Sequence, residues 1–266
     1  MFDKAGAIFI RDARLALSYR LWFVLQWLGT AATVTSLWFV SKIVPPSGNF
    51  SFNGTTASYF EFAIVNIAFL TFQTAALQSF ERAIRDDQIF GTLEATFVTP
   101  TPVRLIVLSS GLWAFTLTSV NVACYLTFGS MFGMHLEHLN LAASVLVVLL
   151  TIVAIVPLGI LSAAGVMVFK QGAPVQFLFN MAASLLAGVL FPVAVLPVWL
   201  RTISWLMPTT HALNGIRGAL HGATFGQLAP DLLWLSCVSI VLLPFALWVF
   251  RCAVAQAKHD GTLAQY

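Results

Sequence analysis

The chain has 266 residues, of which 59% are hydrophobic and only 9% are Asp, Glu, Lys or Arg, against about 25% charged in a soluble domain. So few charges cannot cover the outside of a water-soluble protein of this length, which excludes an ordinary soluble enzyme and a disordered chain. The net charge of +3 is too small and scattered for nucleic-acid binding, and Cys124, Cys237 and Cys252 sit singly in apolar runs without disulfide or zinc spacing.

Residues 1–20 are charged but patterned. Phe2, Phe9 and Ala16 recur every seventh residue, and Lys4, Arg11 and Ser18 form a second stripe. This predicts an amphipathic helix lying on the membrane surface, not a cleaved signal. Residues 21–266 then read as one membrane domain. A bilayer core needs about 20 apolar residues per helix. Runs at about 21–44, 59–80, 105–132, 141–169 and 232–250 qualify, and a shorter run at 175–191, stopped by Pro192, is read as the fifth of six spans. The fold class is therefore an all-α membrane protein of six transmembrane helices.

With the N-terminus inside, Lys4, Arg11, Arg14, Arg20, Arg82, Arg85, Arg104, Lys170, Arg251 and Lys258 fall inside, and only Lys42, Arg201 and Arg217 outside. That asymmetry predicts cytoplasmic termini in an inner or plasma membrane.

Three segments are more than plain spans. Residues 45–58 form a polar outer loop with Asn49-Phe50-Ser51 and Asn53-Gly54-Thr55 triplets, read as loop chemistry. Residues 80–104 hold four of the ten acidic residues. Arg82, Arg85, Asp86, Asp87 and Glu94 alternate with Ile84, Ile89, Phe90, Leu93 and Phe97, so one face can rest on the bilayer while the other meets water or a partner. Gly91-Thr92 interrupts that pattern, and Pro100 and Pro102 end it. Residues 191–222 are apolar but broken by Pro192, Pro197 and Pro208. No piece is long enough to cross, so the segment should dip in and return as short helices, with Arg201, His211, Asn214 and Arg217 near the outer interface.

Catalytic chemistry is sparse. No Gly-x-x-x-x-Gly-Lys-Ser/Thr loop is present, and none of the four lysines follows a glycine, so the chain carries no such ATPase motif. Gly-x-Ser-x-Gly is missing too. His135-Leu136-Glu137-His138 is read as an interfacial turn rather than a metal site. No catalytic and no metal-ligating residue is assigned. Ionisable residues deep in spans are nearly absent, which argues against an ion-coupled transporter. A channel would need a polar face along several spans, and an intramembrane enzyme a polar cluster at one depth. These ATPase-independent classes, and a scaffold or immunity subunit, are the alternatives to a transport permease.

The residues Glu81-Arg82, Gly91-Thr92-Leu93-Glu94 and Thr99-Pro100 resemble the cytoplasmic coupling loop of type-2 ATP-binding-cassette exporter permeases. Phe191-Pro192, Leu196-Pro197, Met207-Pro208-Thr209-Thr210 and Arg217 are similar to the outer re-entrant segment of the same family. Asp86-Asp87 departs from the family's commoner Arg-Glu pairing. The resemblance implies a dimeric permease, the second copy being the same or a homologous chain, with two separate nucleotide-binding subunits that hold ATP and Mg. No cofactor is implied in this chain. Arg82, Arg85, Asp86, Asp87, Gly91 and Glu94 would contact the ATPase, while Pro192, Pro197, Pro208 and Arg217 would shape the re-entrant segment. Asn66, Phe69, Phe72 and Gln73 could line the path of an exported amphipathic cargo, such as a lipid, a lipid-linked glycan or a hydrophobic drug.

Overall fold

The computed structural model describes residues 2–44, 50–52, 55–89, 91, 109, 111–134, 139–169, 173–189 and 192–259. Among them the chain forms α1 (Phe2–Ser18), α2 (Arg20–Ile43), a hairpin of β1 (Phe50–Phe52) and β2 (Thr55–Ala57), α3 (Tyr59–Ile89), α4 (Leu112–Met131) and α5 (Leu141–Phe169). It continues with α6 (Ala173–Leu186), a single 3-10 turn (Val193–Val195), α7 (Val198–Leu206), α8 (Pro208–Leu220) and α9 (Phe225–His259). The two strands are antiparallel, with Phe50 opposite Ala57 and Phe52 opposite Thr55, inside what the sequence predicts as a plain polar loop.

Among the described residues, five helices are long and apolar enough to cross a membrane: α2, α3, α4, α5 and α9. This is a multi-pass membrane architecture. The fifth expected span differs. The run at 175–191 gives α6, whose 14 residues reach about 21 Å against a core of about 30 Å. Gly188, at φ 73°, takes a left-handed conformation that other residues resist. With Pro192 beyond it, the helix gives way to the short α7 and α8, seated on Pro197 and Pro208.

Helix starts follow local chemistry. Ser58 and Glu61 form a reciprocal capping box at α3: the Ser58 N–H donates to Glu61 Oε2 at 3.0 Å and the Glu61 N–H to Ser58 Oγ at 3.2 Å. Asn140 Oδ1 accepts the Ala143 N–H at 3.1 Å and so opens α5. The Thr224 N–H donates to Gln227 Oε1 at 2.9 Å just before α9.

α3 is the central helix, with 72% of its apolar window buried against 11% for α2. It packs through two clusters. Near the hairpin, Phe60, Ile64, Val65 and Phe69 meet Val34, Tyr125, Ala154 and Leu213. At the other end, which carries α1, Phe80 and Ile84 meet Val156, Ile160, Ala163 and Phe250. Close approach of α3 to α5 depends on Gly159, where an added Cβ would lie 2.6 Å from Phe80 Cδ2 and 3.0 Å from the Ala76 carbonyl oxygen. α2 and α9 keep most of their apolar surface outward, including Leu25, Leu28, Phe39, Ile240, Val241 and Trp248, as lipid-facing helices must.

Candidate functional site

A cleft of about 1030 Å³ opens between α1, α2, α3, α4 and α6. Its α3 wall includes Ile67, Leu70, Thr71, Thr74, Gln78, Arg82 and Asp86, a single helical stripe about 28 Å long. α1 adds Arg11 and Asp12, α2 adds Trp22 and Gln26, α4 adds Trp113, Thr118 and Asn121, and α6 adds Asn180 and Ser184. Arg11 Nε donates to Asp12 Oδ1 at 2.9 Å, and Arg82 donates to Gln78 Oε1 one turn back. Thr30 Oγ1 donates to Asn121 Oδ1 at 3.1 Å, fastening α2 to α4 at the cleft's edge.

The residues expected along the path fall on the other faces of α3. Asn66 and Gln73 are buried inside the bundle, while Phe69 and Phe72 line a separate apolar pocket of about 220 Å³ with Val122, Leu126 and Val148. Thr71 and Thr74, visible in the sequence as polar residues of the same span, are the ones that face the cleft.

Asn66 belongs to a node with Arg217. Arg217 is 3% exposed. Its Nε donates to Asn66 Oδ1 at 3.1 Å, a terminal nitrogen also donates to that oxygen, and Nη2 donates to the Gly188 carbonyl at 2.7 Å. The cation lies 4.7 Å from the Phe62 ring centroid, and Asn66 Nδ2 donates to the Val189 carbonyl at 2.6 Å. Arg217 thus sits buried inside the protein, locking the bend after α6 to α3. A buried charge persists only with such partners.

Two further polar nodes tie α3 to its neighbours. Glu81, also buried, accepts from Ser162 Oγ at 2.9 Å and from Gln176 Nε2, joining α3 to α5 and α6. Between the nodes, Gln73 Nε2 reaches Asn180 Oδ1 at 3.4 Å. Sequence reading missed these ionisable groups as interior residues, because Glu81 and Arg217 sit at the ends of apolar runs and only packing encloses them.

His211 of α8 contacts Asp231 Oδ1 through Nδ1 at 2.6 Å and the Trp205 carbonyl through Nε2 at 2.8 Å. A carbonyl only accepts, so Nε2 carries a proton, and an ionised Asp231 calls for a second on Nδ1. Burial pulls the imidazole pKa down, but the Asp231 hydrogen bond, the Trp205 carbonyl and the Asp231 charge together leave it raised above 6.5.

In the expected coupling segment, α3 runs on to Ile89 instead of ending at Phe80. Arg82, Arg85 and Asp86 are exposed on this extension, and Gly91 follows it at φ 68°. The Asp87 side chain and Glu94 lie outside the described residues, as do the turn at 135–138 and Pro100 and Pro102. Pro192, Pro197 and Pro208 flank the 3-10 turn, α7 and α8, and Arg201 Nη2 staples that turn by donating to the Ala194 carbonyl at 2.6 Å. Among the described residues no group of three or more His, Cys, Asp or Glu could hold a metal ion.

A family model for the ABC-2 type transporter matches residues 8–221, from α1 through α8. The chain belongs to the ABC-2 type transporter family. It is thus a membrane permease component of an ABC transporter, a class that works with ATP-binding subunits and is not itself the ATPase. The match stops before α9, the last and longest helix among the described residues. A comparison with curated proteins returned no match.

Proposed function

We propose that this ABC-2 permease exports an amphipathic molecule, paired with a second permease chain and driven by two ATP-binding subunits that carry ATP and Mg. The observation that carries this reading is the cleft along α3. It begins in the apolar part of α3 among Ile67 and Leu70 and ends among Arg11, Asp12, Arg82 and Asp86, so one molecule can meet apolar and polar walls at once. The residues that close its far end, Arg82 and Asp86, lie on the exposed extension of α3 assigned to ATPase docking.

In this reading the α1 end is cytoplasmic and the hairpin end outer, in line with the Lys and Arg distribution. Nucleotide-driven closure of the partner subunits pushes on Arg82, Arg85, Asp86 and the Asp87–Glu94 stretch around Gly91. Glu81, adjacent in the chain, passes the displacement to α5 and α6 through Ser162 and Gln176. α7, α8 and the Arg217 node close the outer side.

The test is a gentle-detergent pull-down of the chain with an ATPase assay, beside an Arg82→Glu/Arg85→Glu variant. A co-purifying ATPase that the double reversal removes supports the reading. A wild-type chain that comes down alone and inactive, under conditions that keep other such complexes whole, refutes it.

A further inference from the structure

We propose that the cleft selects an uncharged amphiphile, one whose head group offers several hydroxyl or amide groups and no net charge. The proposal rests on the permease reading and narrows its cargo. Its basis is the order of chemistry along the walls. From the bundle centre outward, the α3 face passes from apolar (Ile67, Leu70) to neutral hydrogen-bonding (Thr71, Thr74, Gln78) before reaching any charge. The facing walls are neutral at the same depth, with Asn121 on α4 and Asn180 on α6.

Charge is confined to the far end and balanced, two Arg against two Asp among the described lining residues. Arg11 is engaged by Asp12 and Arg82 by Gln78. An anionic head group would have to displace those bonds and lie beside two carboxylates, and a cationic one would lie beside two guanidiniums. Either would lose its water without gaining a matching set of opposite charges. A neutral polyol or amide head meets neither obstacle.

The lining side chains Thr71, Thr74, Gln78, Asn121 and Asn180 carry donors and acceptors of both kinds. A hydroxyl or amide both donates and accepts, so it can pair with either, whereas a phosphate ester offers only acceptors and a quaternary ammonium offers neither.

The experiment uses the full chain in phosphatidylcholine nanodiscs. Trp22 and Trp113 line the cleft, so their fluorescence reports occupancy. A Trp22→Phe/Trp113→Phe variant isolates their share of the signal. The probes are three amphiphiles with the same brominated twelve-carbon tail, bearing a maltoside, a phosphate or a trimethylammonium head. The maltoside should quench with at least about tenfold higher affinity than either charged probe. Thr74→Val with Asn180→Leu should weaken it about tenfold, the worth of one or two buried hydrogen bonds, while leaving the charged probes unchanged. Thr71→Val/Thr74→Val, which keeps shape and the Asn180 contact, should give a smaller loss in the same direction.

A charged probe that binds as tightly as the maltoside overturns the proposal. So does maltoside affinity indifferent to both variants, or quenching that survives without Trp22 and Trp113. No ATPase takes part in this assay. Selective binding by a chain that captures no ATP-binding subunit would sink the exporter reading alone. Unselective binding by a chain that does capture one would sink the head-group assignment alone.

Discussion

Replacing Arg217 with Met tests the node that locks the bend after α6 to the centre of the bundle. The substitution removes the donors to Asn66 Oδ1 and to the Gly188 carbonyl. Each buried acceptor left without a donor costs about 1–3 kcal/mol. Loss of the cation over Phe62 adds about 0.5–2 kcal/mol. Relief from burying a charge, together with the partial filling of the space by Met, offsets some of this. The expected net loss is about 3 kcal/mol. It can be read as a shift in denaturant unfolding of the detergent-solubilised chain, followed by tryptophan fluorescence. Asn66→Leu gives the second edge of a double-mutant cycle. Because the two side chains share a bond, the combined variant should fall short of the summed losses by about 1–2 kcal/mol. An Arg217→Met protein within about 0.5 kcal/mol of wild type, or an additive cycle, would refute the node as a structural lock.

Gly159→Ala should destabilise by about 1–2 kcal/mol despite the better helix propensity of Ala, because Phe80 is buried and cannot yield. Gly165→Ala, with open space around its Cβ, should be neutral or stabilising in the same thermal melts. Glu81→Leu takes the shared acceptor from Ser162 and Gln176 and should cost about 2 kcal/mol, with Glu81→Gln costing less. Equal melting temperatures for both variants and wild type would contradict the assigned contacts. His211 has a raised folded-state pKa, so its stabilisation is full below about 6.5 and is lost as pH rises through the folded value. The melting temperature should therefore fall in wild type as pH rises from about 6.5 through the raised His211 pKa, and this slope should flatten in Asp231→Asn.

α5 was fully legible, because an unbroken apolar run lies between Asn140, which caps it, and Lys170, and the expected 141–169 matches Leu141–Phe169. α3 was legible at its start but not at its end. The apolar residues at 84 and 89 hint at an amphipathic piece in the sequence, but only the burial of Glu81 and Ile84 shows that it continues α3 without a break. The expected span at 175–191 relied on hydrophobicity, which cannot register that Gly188 reverses the backbone. At the site, the sequence names the polar residues of α3 but not which face each one takes. Asn66 and Thr71 are both polar, yet one meets Arg217, 151 residues away, and the other meets the cleft. Periodicity along one helix carries no information about a partner that distant.

α2 has only Thr30 and Val34 fully buried. From Thr30 onward it is gripped, with the Asn121 bond at the grip and Val34, Leu37 and Trp38 in the core beyond. The stretch from Arg20 to Gly29 projects past that support for about 15 Å and forms one side of the cleft at Trp22 and Gln26. In mechanical terms it is a cantilever. A tilt of about 10° at Thr30 moves Trp22, about 12 Å away, by about 2 Å without disturbing a buried contact on the gripped half. Width at the α1 end of the cleft thus follows the deflection of this overhang together with α1, which continues it and rests on α4 through Phe9 and Trp113, while the hairpin end keeps its packing.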